Sequence, residues 1–580
     1  MAHPHSSQRI GVRDALPGVV YPPVHALRRY VDAGALGFES LADGLRAAFT
    51  RHASRIALDG PAGAVSYAML DADSERLAAA LLRQGLAPLD RVVFQMNNSY
   101  ELVTLWVACL KAGLIPLCTL APHREHEIGY LATHADAVLH AVDGDDPRFD
   151  GIGFARAMQD QVPTLKQILR ARGPAVPGVL QLRALIESID EAQARCELAA
   201  LSSDPFQVAV FQLSGGTSGV PKIIPRFGNE YLAMMRLVAD CNGYRPDDTV
   251  FIPLPMMHNL NMGCFLGPFL LSGGRVLVAP DLRPETLIDT IRRFAPTWLV
   301  LGPLAARIES AIAAGELDFS QVRGIVAPNG ARRLREQLKA PALHIFGMTE
   351  GVIMFTRPGE DPIEAQDRTV GRPISPLDQV RILKPGTEEE AASGEDGEPA
   401  FQGPYTIHGY YRADERNREA FTSDGFYRSG DLMRTVTIDG RTYYEFRGRL
   451  KDVVDRGGEK INCEEVERVL LRHPAVAAVA VVGMPDPVYG ERLCACVIPA
   501  AGRSAPDIAQ LGAFLQQQGV AKFKWPERVE TMSEFPTTQS GKLSKPALKQ
   551  WVAGRVTAER TIDERALAAQ QGRPADEEAR

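Results

Sequence analysis

Short apolar runs alternate with stretches of helical spacing along most of the chain. Arg91–Met96 (RVVFQM) and Leu114–Leu120 read as buried strands, and Glu101–Ala112 between them carries apolar residues at helical spacing. Ser40–Arg51 and Ala68–Gln84 show the same helical spacing upstream. Further strand-like runs follow at Val208–Leu213, Thr249–Leu254, Gly274–Ala279 and Thr297–Leu301. This alternation predicts an α/β core with parallel sheets. After Arg434 the texture changes. Tyr443–Phe446 leads through a helical pattern at Cys463–Arg472 into the β-rich run Ala475–Val482. The pattern predicts an N-terminal extension over 1–35, a large core over 36–450 and a small α+β domain over 451–552. The charged, Ala/Gln-rich residues 553–580 read as a frayed tail, and the acidic Thr387–Glu398 as a loop.

One stretch stands apart from this periodicity. Ser214-Gly215-Gly216-Thr217-Ser218-Gly219 packs glycines and hydroxyls together, and Lys222 adds a cation just downstream. Glycine lets backbone N–H groups approach a ligand, and the hydroxyls add donors, so the loop suits phosphate oxygens. A flexible Gly/Ser linker is the alternative, but linkers rarely sit between β-like apolar runs. The loop is not a Walker A loop, because Gly219 is followed by Val220-Pro221-Lys222 rather than Lys-Ser/Thr.

At 580 residues the chain exceeds what one core organises, so several subdomains are expected. A net charge of −7 gives no basis for a nucleic-acid partner. The eight cysteines lack zinc spacing, and Cys494 and Cys496 lie on one face of the strand pattern LCACVIP, so they read as buried thiols. Such usage fits a reducing cytoplasm. The N-terminus lacks a basic-then-apolar signal pattern, and no apolar run reaches the roughly 18 residues that span a membrane. His123, Glu125, His126 and Glu127 do not have the spacing of a zinc helix and read as a solvated helix start. No internal repeat and no segment of the kind that carries a phosphopantetheine arm is visible.

Six stretches then point one way: LSGGTSGVPK (213–222), FGMTEG (346–351), YRSGDL (427–432), GRLKD (448–452), RGGEKI (456–461) and PTTQSGK (536–542). With these motifs in this order, the chain resembles the adenylate-forming superfamily of acyl- and aryl-acid ligases from about residue 36 to 552. Within it, LPMMHN (254–259), LAPHRE (120–125) and the Pro225-Arg226 pair closing the loop resemble stand-alone aryl-acid ligases of the 2,3-dihydroxybenzoate and salicylate type. The resemblance implies a large domain of α/β subdomains with parallel-rich sheets and a small barrel-like part, plus a small mobile α+β C-terminal domain. It implies two steps, carboxylate plus ATP to acyl-AMP and pyrophosphate, then displacement of AMP by a thiol. It assigns Ser214, Gly215, Gly216, Thr217, Ser218, Gly219 and Lys222 to the triphosphate and Glu350 to Mg²⁺. It lays Gly330, Ala331, Phe346, Gly347, Met348 and Thr349 along the nucleotide, with Asn329 replacing a glycine usual there. It puts Asp431 on the ribose hydroxyls with Arg449 beside it, and makes Lys542 the lysine that bridges carboxylate and α-phosphate. It places the hinge at Lys451 and a thiol tunnel along Gly457 and Gly458.

The resemblance also places the acid pocket at His258, Asn259, Leu260, Cys264, Gly302, Pro328 and Ile345. His258 is also a catalytic candidate. Amino-acid-activating relatives carry an aspartate at the second position to hold an ammonium; neutral Asn259 would leave that charge unpaired. Its amide oxygen can accept from an ortho hydroxyl or an ortho amine. Cys264, in place of the Ser of dihydroxybenzoate-type members, leans toward salicylate. The expectation is therefore an ATP- and Mg²⁺-dependent enzyme that loads a small aryl acid onto the phosphopantetheine arm of a separate aryl carrier protein in siderophore synthesis. An aryl-CoA ligase is the enzymatic alternative, and a non-catalytic nucleotide-binding protein the alternative of another class.

Overall fold

In a computed structural model, residues 9–60, 63–214, 221–279, 281–327, 330–456, 459–486, 489–518, 520–537 and 543–570 are described. The fold is mixed α/β with parallel-rich sheets. The chain divides into two compact units. The first holds the chain through Arg381, with Ala400–Arg428 and Val436–Glu445; the second holds Ile382–Pro399, Ser429–Thr435 and the chain from Phe446 on.

Two sheets organise the first unit. One runs Leu180–Gln181, Gln167–Arg170, Leu139–Val142, Arg91–Gln95, Ile115–Leu117, Val208–Ser214 and Lys222–Phe227, parallel except for the final hairpin. The other is parallel from Ala342–Met348 through Gly324–Ala327, Trp298–Leu299, Thr249–Phe251 and Arg275–Leu277 to Ile56–Asp59. Antiparallel strands extend both of its ends. The strands are apolar on both faces because helices cover both, as parallel sheets require. Helices Leu41–Arg51, Tyr67–Arg83 and Tyr100–Ala112 start on Ser40, Ser66 and Ser99, each of whose hydroxyls accepts a backbone N–H of the first turn. Their apolar faces meet in one large core around Phe49, Tyr67, Trp106 and Phe269.

The observed strands are shorter than the apolar runs. Leu114–Leu120 shrinks to Ile115–Leu117, and Thr297–Leu301 to Trp298–Leu299. The residues beyond are buried or half-buried and regular pairing stops at them, although the Cys118, Thr297 and Val300 N–H groups still reach the Phe211, Thr249 and Phe251 carbonyls of neighbouring strands. The helix near His123 begins at Glu125, and its start is not solvated throughout. His123 and Glu127 are buried. The His123 Nδ1 accepts from the Leu120 N–H at 3.2 Å, and Glu127 accepts from the Arg124 N–H at 3.0 Å. The imidazole and carboxylate satisfy local backbone, which is why they are tolerated inside.

The second unit holds Val476–Asp486 and Gly490–Pro499 paired antiparallel, with Val453–Arg456, Glu459–Asn462 and Arg528–Thr531 completing a five-stranded sheet. Cys494 and Cys496 are buried on one face of it, against Leu548, Val552 and Val556 of helix Lys545–Gln570. That helix enters the stretch expected to be a tail, because Val552 and Val556 continue its apolar stripe. Among the described residues no helix is long and apolar enough to cross a membrane.

Candidate active site

The strands Val208–Ser214 and Lys222–Phe227, which flank the glycine-rich stretch in sequence, pair antiparallel, with Ser214 directly opposite Lys222. The Ser214 Oγ is buried and has no hydrogen-bond partner among the described residues. A buried hydroxyl left so is costly unless a ligand or water supplies the bond. A second hairpin, Ala342–Met348/Gly351–Phe355, turns through Thr349-Glu350. The turn packs tightly: a Cβ on Gly351 would stand 3.1 Å from the Thr406 Cα. The Glu350 carbonyl accepts from the Ile407 N–H at 2.8 Å, which ties the turn to the segment carrying Tyr410.

Lys222, Glu350 and Tyr410 meet there. The Tyr410 hydroxyl donates to Glu350 Oε1 at 2.9 Å, accepts from Lys222 Nζ at 3.1 Å and pairs with the Tyr427 hydroxyl at 3.0 Å. Lys222 lies 4.4 Å from the Tyr410 ring centroid and 3.9 Å from Glu350 Oε1. Burial, reinforced by the Glu350 charge, pushes the Tyr410 phenol above its usual range, so it stays a donor. Glu350 is 4% exposed. Both of its side-chain contacts among the described residues run to Oε1.

No group of three or more His, Cys, Asp or Glu is close enough to cage a metal among the described residues. A single carboxylate suits Mg²⁺, which uses one or two carboxylates with phosphate oxygens. The donor set at Glu350 fits that ion.

Behind this cluster lies a closed one. Arg226 is fully buried; its Nε and Nη2 donate to the two Glu230 carboxylate oxygens at 2.8 and 2.7 Å. Its Nη1 donates to the Thr349 carbonyl at 2.9 Å, and its guanidinium lies 4.7 Å from the Tyr231 ring centroid. Burial opposes the Arg226 charge, and the Glu230 carboxylate outweighs it, holding the guanidinium above its usual range. The Glu230 carboxylate also accepts from the Phe227 N–H at 2.9 Å, capping helix Gly228–Asn242.

Tyr231 links this pair to the expected acid pocket. Its hydroxyl donates to Asn259 Oδ1 at 2.8 Å. His258 caps the turn, its Nδ1 accepting from the Leu260 N–H at 3.3 Å. Cys264 is buried in the π-helical turn Met262–Leu266, and burial pushes its thiol up to about 12. Such turns recur at functional sites. Leu260 packs on the core edge and Ile345 is buried in its strand.

Gly330, at φ +76°, opens helix Ala331–Leu338, and Ala331 is fully buried. Only glycine adopts that φ without strain. Phe346 packs 6.3 Å from Phe401, Gly347 is exposed, and Met348 and Thr349 are half-buried. Gly302 starts the tight turn Gly302–Ile308. In the second unit, Arg449 Nε stands 3.7 Å from Asp431 Oδ1. Lys451 lies in the turn Leu450–Asp452. Gly215, Gly216, Thr217, Ser218, Gly219, Pro328, Asn329, Gly457, Gly458 and Lys542 lie outside the described residues.

The sequence reading missed Tyr410, Tyr427, Glu230 and Tyr231. Two left a signal: Tyr427 opens the YRSGDL stretch, and Arg226 and Glu230 stand four apart across a strand–helix junction, with the glutamate in the first helical turn.

Residues 45–411 match the family of AMP-binding enzymes, and residues 465–542 match the AMP-binding enzyme C-terminal domain. The chain is 36% identical over 562 residues to 2,3-dihydroxybenzoate-AMP ligase of Bacillus subtilis, covering 94% of this chain and 99% of that protein. It is 36% identical over 563 residues to the salicyl-AMP ligase / salicyl-S-ArCP synthetase of Mycobacterium tuberculosis, covering 94% and 97%. The apo structure of MbtA from Mycobacterium smegmatis matches with a TM-score of 0.69 at 31% identity, covering 92% of this chain and 98% of that one.

Proposed function

The chain belongs to the family of AMP-binding enzymes, and we propose that it activates a 2-hydroxybenzoate-like acid as its aryl-AMP and passes the aryl group to a phosphopantetheine thiol on a separate carrier protein. The acid class rests on one observation above the others: the side chain at 259 is a buried, neutral amide, bonded to Tyr231. That amide supplies no anion for an α-ammonium, and burying an unpaired charge beside it would be costly. The B. subtilis and M. tuberculosis relatives, whose names carry 2,3-dihydroxybenzoate and salicyl, support the same class.

A carboxylate resists nucleophilic attack, and conversion to an acyl phosphate anhydride gives it a good leaving group. The protein's part is to neutralise triphosphate charge and align the carboxylate with the α-phosphorus. Ser214 and the loop after it would hold the phosphate oxygens, with Lys222 adding positive charge. Glu350 would hold Mg²⁺ by its carboxylate, kept in place by the Tyr410 hydroxyl. Mg²⁺ bound there supplies further charge neutralisation at the phosphates. Asp431 can accept from both ribose hydroxyls. Lys542 would bridge carboxylate and α-phosphate, and the small domain would turn at Lys451 to bring Gly457 and Gly458 to the thiol step.

ATP–pyrophosphate exchange over benzoate, salicylate, anthranilate and 2,3-dihydroxybenzoate tests this reading, followed by transfer to carrier protein or to CoA. Exchange driven by salicylate or 2,3-dihydroxybenzoate is expected. A free amino acid outperforming every benzoate overturns the acid class, and no exchange with any acid points to a nucleotide binder. Equal transfer to CoA identifies an aryl-CoA ligase.

A further inference from the structure

Asn259 is oriented by a chain of buried polar groups. The Gln212 Nε2 lies 3.4 Å from the Tyr231 hydroxyl and 3.1 Å from the Met262 sulfur, so the Tyr231 oxygen is on the receiving side of Gln212. The single Tyr231 proton then goes to Asn259 Oδ1 at 2.8 Å. Gln212 and Tyr231 are essentially inaccessible, and Asn259 is 7% exposed. Burial holds the Tyr231 phenol well above its usual range, so its proton is always present, and the Arg226 guanidinium over the ring strengthens it as a donor.

Turning the amide around would face Nδ2 toward a hydroxyl that already receives an N–H. It would also strand the phenol proton without this acceptor, and a buried unmet donor is costly. The amide is therefore held with its oxygen toward the protein. Its Nδ2 has no hydrogen-bond partner among the described residues and is not one of the fully buried unpaired atoms.

We propose that Tyr231 sets the polarity of the acid pocket, fixing Asn259 so that its Nδ2 donor selects an ortho substituent that accepts a hydrogen bond over one that can only donate. This rests on the aryl-acid reading above. It replaces the expectation that the amide oxygen accepts from an ortho hydroxyl or amine, because that oxygen is taken by Tyr231. The ortho O–H of salicylate folds onto its own carboxylate and leaves an oxygen lone pair for Nδ2. The nitrogen lone pair of anthranilate is drawn into the ring, so its amine presents N–H donors toward another donor.

The test is pyrophosphate exchange with salicylate, anthranilate and benzoate, by the wild type and by Tyr231→Phe. The wild type is expected to prefer salicylate over anthranilate by roughly 10- to 100-fold in kcat/KM. In Tyr231→Phe the amide is free to turn, and the ratio should fall to within about 3-fold. Benzoate has no ortho group, and its kcat/KM should change by less than about 3-fold, which a general structural defect would not spare. Wild-type anthranilate turnover equal to that of salicylate overturns the inference without any variant, as does a Tyr231→Phe enzyme that keeps both its benzoate rate and the full ratio. If salicylate and benzoate drive exchange while either of these results holds, only the polarity falls. If no benzoate drives exchange, the aryl-acid reading falls and takes the polarity with it.

Discussion

Two charged clusters lie side by side in the first unit, and they are built oppositely. Arg226 and Glu230 are fully closed: the guanidinium side chain is 0% exposed and bidentate to the Glu230 carboxylate, and further N–H groups reach the Thr349 and Tyr405 carbonyls. Lys222 and Glu350 are a looser pair. Their nearest charged atoms stand 3.9 Å apart, Tyr410 bridges them, and the lysine side chain is 19% exposed. In the first cluster charge is consumed by protein, and it fixes geometry. In the second, opposite charges are held near each other without full contact, which suits a site that must receive a highly charged ligand. The link between them is the Thr349 carbonyl, so the closed pair holds the turn on which Glu350 sits.

If that contrast is right, the two clusters should fail in different ways. The largest effect belongs to Arg226→Met, which leaves Glu230 buried and unpaired. Its loss of stability should be about 3–5 kcal/mol in urea unfolding, and Arg226→Met combined with Glu230→Leu should recover most of it. A single variant as stable as the wild type would break the comparison. Glu350→Gln should do the reverse. It should lower adenylation by on the order of 10²- to 10³-fold while leaving the unfolding midpoint nearly in place. Equal damage to stability would make Glu350 a structural group like Glu230.

Tyr410→Phe sharpens the comparison, since it removes the bridge and keeps both charges. Its hydrogen bonds to two charged groups, Glu350 and Lys222, are lost, each about 1.5–3 kcal/mol, so kcat should fall on the order of 10-fold or more with little change in KM for the acid. A change confined to KM would place Tyr410 in binding alone. The smallest effect is expected outside both clusters. Cys264→Ser adds a hydroxyl to a buried, uncharged wall and should shift the 2,3-dihydroxybenzoate to salicylate ratio by roughly 2- to 10-fold. A shift as large as that of Glu350→Gln would mean that the wall, not the charge cluster, governs the chemistry.

Much of the architecture was legible in the chain. The spacing at Ser40–Arg51 and Ala68–Gln84 became helices Leu41–Arg51 and Tyr67–Arg83, with serine caps at the boundary. Arg91–Met96 became the strand Arg91–Gln95, and the alternating cysteines became one buried face of a strand. The expectation for His123 misread burial, and at the start of the expected tail 553–580 Val556 is buried. A histidine in a polar run looks solvated until Leu120 donates to it, and an Ala/Gln-rich run looks frayed until Val552 and Val556 meet a sheet. The orientation of Asn259 was beyond the sequence as well, because an amide shows its acceptor or its donor according to its neighbours.

The sequence by itself determined the strand–helix alternation, because periodicity depends on residues only a few positions apart. Tertiary structure alone decided that Tyr410 comes from 188 positions away to bridge Lys222 and Glu350, and that Tyr231 meets Asn259 across 28. It also decided which charges are neutralised inside the protein. Periodicity reports which side of an element is buried; which groups meet there is set by sheet order, register and the packing of helices, terms to which no local pattern has access.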